Sequence, residues 1–315
     1  MLERKSLIQI RSEDDGTLVI EYLCRRFTYH SRDKWQGELA AGRLILNGCE
    51  AREDDALHGG DCLEYRPEPR PEPSVDTSVA VLESAADWAI LNKSGNLPCH
   101  PAGCFFNHTL WALIKTGQIT GLSAHDDIHF VTRLDRETSG IVVVAWNAET
   151  AHRITKALAR PDAVKEYRVL VEGDFPDALE ANGWLWTASD AVVSKKRCFS
   201  TEPPPDDALN VMTAWTSFNS VRRFDGMSEL SATLHTGRTH QIRATLCSLG
   251  FPVVGDKLYG VDETCFLRFI KGCLTSDDLK RLKMPRQALH AYRLSLSLDG
   301  RVINAVAPVP WTIPL

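Results

Sequence analysis

The stretch VTRLDRETSG, residues 131–140, is followed directly by the apolar run IVVVAW at 141–146. A short apolar run after a small polar turn is typical of a buried strand, so Asp135 stands at the mouth of a strand, between Arg133 and Arg136. Nearby cations keep a carboxyl group ionised, and an ionised carboxylate suits a nucleophile or a general base. The commoner role of an Asp in a turn is a cap or a solvated charge, and Asp135 alone does not exclude it.

Length and composition are those of an ordinary globular protein. The 315 residues are 43% hydrophobic and 24% charged, with a formal net charge of -5, and this length predicts two domains or one large one. The charge gives no sign of nucleic-acid binding, although a local basic cleft is compatible with it. Nine cysteines without CxxC or zinc spacing indicate reduced thiols and predict no metal site. We find no signal peptide or membrane-spanning run and expect a cytoplasmic protein that does not enter the membrane.

A proline-rich segment divides the chain. RPEPRPEPSVDTS, residues 66–78, has prolines at alternate positions, which block helix and sheet pairing and favour an extended spacer. We therefore predict a small domain at 1–65, a linker at 66–78 and a large domain at 79–315.

The small domain is predicted to hold two helices, at 17–27 and 31–42, followed by two short strands, at 42–48 and 60–65. Ser31 is a good helix cap and Gly42 a good helix end. This order resembles the small RNA-binding domain first known from a small-subunit ribosomal protein. The net charge of residues 1–65 is unlike that of an RNA-binding domain, because they hold nine Lys or Arg against thirteen Asp or Glu. A basic face could still form from four side chains: Arg25, Arg26, Arg32 and Lys34. The alternative is a small packing domain with solvated charges.

The large domain is predicted to be α+β, because many strands are interspersed with few helices. The predicted strands are 87–93, 141–146, 166–173, 213–218, 228–234 and 292–298. The predicted helices are 108–117, 147–159 and 239–250.

Two further segments of the large domain carry candidate functional residues. In GRTHQIR, 237–243, a helix is predicted to begin near Thr239, which would place Arg238, His240 and Arg243 in one cluster of donors. Such a cluster suits an acidic side chain or phosphates, and a surface salt-bridge patch is the plainer alternative. In VKEYRVLVEG, 164–173, Lys165 and Tyr167 alternate along a strand and so face the same side. A cation beside an aromatic ring suits a nucleotide, although such a pair is also ordinary on a strand.

Taken together and in this order, the segments resemble RNA pseudouridine synthases of the RluA type. The matching motifs are TRLDRETSG at 132–140, KEY at 165–167, GRTHQIR at 237–243 and GDKLYG at 255–260. LNKSGNLPCHPAG at 91–103 and ALHAYRLSL at 288–296 are similar to the family's opening loop and a late strand. The small N-terminal domain is a usual attachment in this family, so the resemblance covers about residues 17–300.

The resemblance implies an isomerase with a mixed, mainly antiparallel catalytic sheet. It implies that uridine within ribosomal or transfer RNA is converted to pseudouridine, without metal or other cofactor. Asp135 aligns with the catalytic aspartate, which would either attack C1′ of the ribose or remove the C2′ proton. Arg243 would pair with Asp135, and Tyr167 would stack on the uracil. Arg133 would face the vacancy of the flipped-out nucleotide.

The remaining candidates are predicted to contact or support RNA, and they are Arg136, Lys165, Arg238, His240 and Gln241. Two positions depart from the family pattern: Thr132 stands where His is usual, and Ser94 where Pro is usual. Neither carries a catalytic role. The competing interpretations are a non-catalytic RNA-binding or assembly protein of the same fold, and a hydrolase with Asp135 as nucleophile. We expect a monomer.

Overall fold

The computed structural model describes residues 2–189, 191–260 and 262–311. The chain forms two compact units, Met1–Pro73 and Ser74–Leu315. The division falls inside the proline-rich segment 66–78 that sequence analysis identified as a linker.

The N-terminal unit is a four-stranded antiparallel sheet with two helices. The strands have the order β1-β4-β2-β3 and are β1 (Ser6–Gln9), β2 (Leu44–Leu46), β3 (Cys49–Glu50) and β4 (Cys62–Tyr65). The helices are α1 (Val19–Arg26) and α2 (Arg32–Ala40). Ser31 caps α2 by accepting a hydrogen bond from the Lys34 N–H. The two predicted helices and both predicted strands are present, and β1 and β3 are additional.

The predicted basic face of this unit is partly neutralised. Arg25 pairs with Asp14, and the Lys34 ammonium lies 2.6 Å from the Glu38 carboxylate. Both cations therefore have an acidic partner within their own unit.

The second unit is built on an eleven-stranded sheet in the order β11-β10-β12-β13-β9-β14-β8-β6-β5, with β15 paired to β14 and β7 to β8. Its strands are β5 (Val79–Ser84), β6 (Trp88–Lys93), β7 (His129–Phe130), β8 (Ser139–Ala145), β9 (Val164–Glu172), β10 (Ala178–Thr187), β11 (Arg197–Ser200), β12 (Met212–Phe224), β13 (Met227–Leu234), β14 (Leu289–Leu298) and β15 (Arg301–Val306). Among the described pairings, β8 with β14 is parallel and the others are antiparallel. The predicted α+β, mainly antiparallel fold is confirmed.

Five helices lie in the described residues of this unit, and four of them have a side-chain N-cap. They are α3 (Leu110–Lys115), α4 (Ala148–Leu158), α5 (Gln241–Ser248), α6 (Glu263–Ile270) and α7 (Ser276–Leu282). The caps are Thr109, Asn147, Asp262 and Thr275, which accept backbone N–H groups that a helix start leaves unpaired. Helix α5 begins at Gln241, two residues later than predicted.

Strand β8 is buried on both faces, which explains its continuous apolar run. Val142 and Val144 pack in the cluster that contains α3, whereas Ile141 and Val143 pack in the cluster that contains Ile154 of α4. Each such side chain contributes roughly 1.5–3 kcal/mol when fully buried. The loop that carries Asp135 is therefore anchored at one end to a strand with little freedom to move.

The structure also contains strands that the sequence pattern did not predict, namely β5, β7, β10, β11 and β15. Strand β10 includes the dipeptide Asn182–Gly183, which is ordinarily a turn signal. Glycine is required at 183 because a Cβ there would lie 2.1 Å from the Ser200 carbonyl oxygen on β11. Within the described ranges no helix is long and apolar enough to cross a membrane.

Candidate active site

Asp135 lies in the loop between β7 and β8, as sequence analysis placed it. The Thr138 N–H donates to the Asp135 carbonyl oxygen at 3.2 Å, which closes a tight turn. Gly140 then adopts a φ of +109°, and a Cβ there would lie 2.3 Å from the Ala291 carbonyl oxygen. The glycine of the TSG sequence thus lets β8 approach β14 closely enough for the parallel pairing.

Arg243 lies between two aspartates. Its Nη1 donates to Asp135 Oδ2 at 2.5 Å, and its Nε and Nη2 donate to the two Asp256 oxygens at 2.6 and 2.9 Å. The Arg243 side chain is 8% exposed and that of Asp256 fully buried. The predicted pairing of Arg243 with Asp135 is present, and Asp256 fixes the far side of the guanidinium group.

Asp135 remains ionised although it is largely enclosed. Burial alone would raise the pKa of its carboxyl group, but the charge of Arg243 and the hydrogen bond from Arg243 outweigh burial and hold the pKa below its usual value. For Arg243, burial is outweighed by the charges of Asp256 and Asp135, which raise its pKa. The two groups therefore form a stable ion pair at neutral pH.

Tyr167 projects from β9 and packs against both large hydrophobic clusters of the unit. Burial, followed by the negative charge of Asp135, raises the pKa of its hydroxyl group. The hydroxyl proton is thus retained at neutral pH, and the ring offers an apolar face beside the carboxylate.

Asp135, Tyr167 and Arg243 line one cavity of about 70 Å³. Its walls are formed by Arg133, Leu134, Asp135, Thr138, Tyr167, Leu234, Arg238, His240, Gln241, Ile242, Arg243 and Leu289. The three residues to which the resemblance gave roles in the reaction, Asp135, Tyr167 and Arg243, therefore lie around one cleft. Arg133 and Arg238 are both exposed, so the cavity carries two cations that solvent can reach.

Gln241 braces the segment before α5. Its Oε1 accepts from the Thr236 hydroxyl and the Arg238 N–H, while its Nε2 donates to the Trp215 carbonyl and the Thr216 hydroxyl. With its polar atoms engaged in this way, Gln241 holds the loop that presents Arg238 and His240.

Two predicted RNA contacts lie elsewhere. The Arg136 guanidinium lies over the rings of Phe105 and Phe269, at 4.8 and 4.4 Å from their centroids. Lys165 directs its ammonium group to the Leu158 carbonyl oxygen at 3.4 Å. Neither side chain lines the cavity.

Lys257 and Gln287 support the loop that carries Asp135, and neither was predicted from the sequence as a site residue. The Lys257 ammonium donates to Glu137 at 2.7 Å, and the Gln287 amide donates to the Thr138 hydroxyl at 2.5 Å. Asp256 and Lys257 belong to the GDKLYG motif, so an unusual charged pair in a glycine-bounded motif was the available signal. Within the described ranges, no group of three or more His, Cys, Asp or Glu residues could hold a metal ion.

The model of the RNA pseudouridylate synthase family matches residues 87–248. The chain belongs to this family. The matched segment contains Asp135, Tyr167 and Arg243, so the pseudouridine synthase motifs inferred from sequence coincide with the cavity. The enzyme is therefore an RNA pseudouridine isomerase, as the resemblance implied.

Individual relatives agree with this membership. The chain is 29% identical to the ribosomal large subunit pseudouridine synthase D of Xanthomonas campestris pv. campestris, over 91% of this chain and 84% of the relative. It is 30% identical to an RNA pseudouridine synthase of Mycobacterium bovis, over 85% and 83%. In fold, it is similar to human RNA pseudouridylate synthase domain containing 1, with a TM-score of 0.58, 21% identity and coverage of 77% of this chain and 88% of that one.

Proposed function

We propose that this pseudouridine synthase modifies a uridine of large-subunit ribosomal RNA, with Asp135 acting on the ribose of a flipped-out nucleotide. The observation that carries the proposal is the convergence of Asp135, Tyr167 and Arg243 on one cavity. Two relatives named as ribosomal large subunit pseudouridine synthases, which the chain matches over 91% and 100% of its length, support the choice of RNA.

The reaction exchanges one bond of the uracil for another. The N1–C1′ glycosidic bond breaks, the uracil rotates, and C5 bonds to C1′; C5 then loses its proton and N1 gains one. Asp135 either attacks C1′ to form a covalent intermediate or removes the C2′ proton to give a glycal, and the ion pair with Arg243 serves both routes. No electrons leave the substrate in either.

The other cavity residues support this chemistry. The uridine must leave its helix or loop to reach Asp135, as bases do in other enzymes that act on them. Tyr167 offers a ring on which the uracil can stack, and its protonated hydroxyl group can donate a hydrogen bond to the base. Exposed Arg133 and Arg238 are suited to the phosphates on either side of the flipped nucleotide.

The test is pseudouridine mapping of total RNA in a strain lacking the gene. We expect the loss of one or a few pseudouridines from large-subunit ribosomal RNA, restored by a plasmid copy of the gene. Loss from transfer RNA instead would keep the enzyme and overturn the substrate. If no site changes and the purified protein binds RNA without modifying it, the non-catalytic alternative is correct.

We also propose that the N-terminal unit adds RNA affinity and that the protein works as a monomer in the cytoplasm. Arg26 and Arg32 are exposed, and we expect the double substitution Arg26→Glu and Arg32→Glu to weaken RNA binding about tenfold at low salt, because contacts with phosphate are electrostatic. The salt dependence of binding should become shallower, while kcat at saturating RNA stays unchanged.

The matched control reverses two arginines outside these helices, Arg11→Glu and Arg52→Glu. Equal losses in both double variants would point to net charge, and no loss in the first would remove the N-terminal unit from RNA binding. Light scattering of the purified chain, alone and with RNA, tests the monomer.

A further inference from the structure

A chain of hydrogen bonds leads from the backbone of β11 to the ring of His240, which lies beside the Asp135 carboxylate. The Arg197 N–H donates to the Tyr259 hydroxyl oxygen at 2.9 Å, and that oxygen lies 3.0 Å from His240 Nδ1. The other ring nitrogen of His240, Nε2, lies 3.8 Å from Asp135 Oδ1. His240 also lines the cavity, so the chain ends where substrate binds.

These hydrogen bonds determine which ring nitrogen of His240 carries the proton. A backbone N–H only donates, so the Tyr259 oxygen is an acceptor toward Arg197, and its own proton needs another acceptor. Tyr259 is 3% exposed, and His240 Nδ1 is the acceptor that the described contacts offer it. The ring is neutral because burial, despite the charge of Asp135, lowers the pKa of His240. A neutral ring that accepts at Nδ1 carries its hydrogen on Nε2.

The Nε2–H group and Asp135 Oδ1 therefore form a donor and an acceptor that face the cavity. Their separation of 3.8 Å is too long for a direct hydrogen bond. One hydroxyl group placed beside both could accept from Nε2 and donate to Oδ1. Arg243 is hydrogen-bonded to Asp135 Oδ2, and Oδ1 is the Asp135 oxygen that lies beside His240 Nε2.

We propose that His240 Nε2–H and Asp135 Oδ1 together bind the 2′-hydroxyl of the target ribose, and that this pair selects ribose over deoxyribose at that nucleotide. The inference rests on the proposed function, because a carboxylate that acts at C1′ or C2′ must lie beside the 2′-hydroxyl. A 2′-hydroxyl both donates and accepts, and this property is what distinguishes RNA from DNA at a protein site.

The informative variant is His240→Asn. His240 has a φ of +60°, a conformation that asparagine tolerates better than most residues, so the backbone before α5 should be kept. The shorter amide can reach Tyr259 but not the position of Nε2. The control is His235→Asn, since His235 is exposed, stacks on Trp215 and does not line the cavity.

The test compares kcat/KM on two synthetic RNA hairpins that carry the mapped uridine and differ only in a ribose or a 2′-deoxyribose at that nucleotide. We expect the wild type and His235→Asn to lose about 100-fold on the deoxy hairpin, as for a site whose polar groups are left unpaired. We expect His240→Asn to be slower on the ribose hairpin and to lose only about tenfold or less on exchange to deoxyribose. The ratio of kcat/KM on the ribose hairpin to kcat/KM on the deoxyribose hairpin is taken for each protein. Dividing the wild-type ratio by the variant ratio cancels any intrinsic difference in reactivity between the two nucleosides.

Equal discrimination by the wild type and His240→Asn would overturn the role of His240. A wild type with equal kcat/KM on both hairpins would also overturn the role of His240. This outcome does not depend on the folding of His240→Asn, which thermal unfolding checks. A wild type that forms no pseudouridine on the ribose hairpin would overturn the proposed function and this inference together. The two failures are therefore distinct.

Discussion

Asp135→Asn is expected to lower the rate of pseudouridine formation by about 10⁴-fold, a loss of the size seen when a central catalytic group is removed. The amide has nearly the shape of the carboxylate but no charge, so it neither attacks C1′ nor removes a proton. The fold should survive, because Arg243 keeps both hydrogen bonds to Asp256. RNA affinity should be unchanged or slightly higher, since one negative charge has been removed beside a polyanion.

The measurement is the single-turnover rate at which saturating enzyme converts the substrate RNA. An RNA-binding titration and thermal unfolding accompany it. A suitable control is Asp127→Asn, an exposed aspartate in the loop before β7 whose partner is His129. Activity of Asp135→Asn within tenfold of wild type would contradict the catalytic role. Loss of activity accompanied by loss of folding would leave the structural role as the explanation.

Asp256→Asn is expected to lower the free energy of unfolding by about 3 kcal/mol, the cost of breaking a buried ion pair by removing one partner. Asp256 is fully buried and, besides Arg243, accepts the N–H groups of Leu258 and Tyr259. An amide retains one carbonyl oxygen and turns an NH2 group toward these donors. Misorientation of Arg243 should also reduce kcat about 100-fold, because small displacements of a catalytic group have effects of that size.

Urea unfolding and steady-state kinetics check the two effects of Asp256→Asn separately. Asp177→Asn is the matched control, since Asp177 also pairs with an arginine, Arg223, but its side chain is 94% exposed. We expect the control to change stability by less than about 1 kcal/mol. If Asp256→Asn matched the control in both measurements, Asp256 would have no part in holding Arg243.

The sequence was most informative about the parts of the site that short sequence patterns determine. The apolar run of β8 predicts a buried strand, and the motif before it places Asp135 at the strand mouth. The pairing with Arg243, which lies 108 residues away along the chain, does not follow from local pattern; the family resemblance supplied it. Given that pairing, the charge of Arg243 is expected to lower the pKa of Asp135, and it does so in the structure.

The sequence was least informative where a side chain could point in several directions. Arg136 was predicted to contact or support RNA, and this stays a prediction, but its guanidinium group lies against two aromatic rings from distant segments and does not line the cavity. Lys165 shares a strand with Tyr167 but extends toward the end of α4. Such outcomes depend on tertiary neighbours, which motif spacing does not encode.

The junction of β8 and β14 has a consequence for how activity is lost. Asp135 is attached to the part of the sheet that contains β6, β8 and α4, whereas Arg243 belongs to the part that contains β10 to β13 and α5. Their ion pair therefore ties two separately packed halves, and Tyr167 contacts the cores of both. A molecule whose halves have come apart would keep most of its secondary structure and still lack the Asp135–Arg243 ion pair. We therefore expect enzymatic activity to be a more sensitive measure of the docking of the halves than helix or strand content.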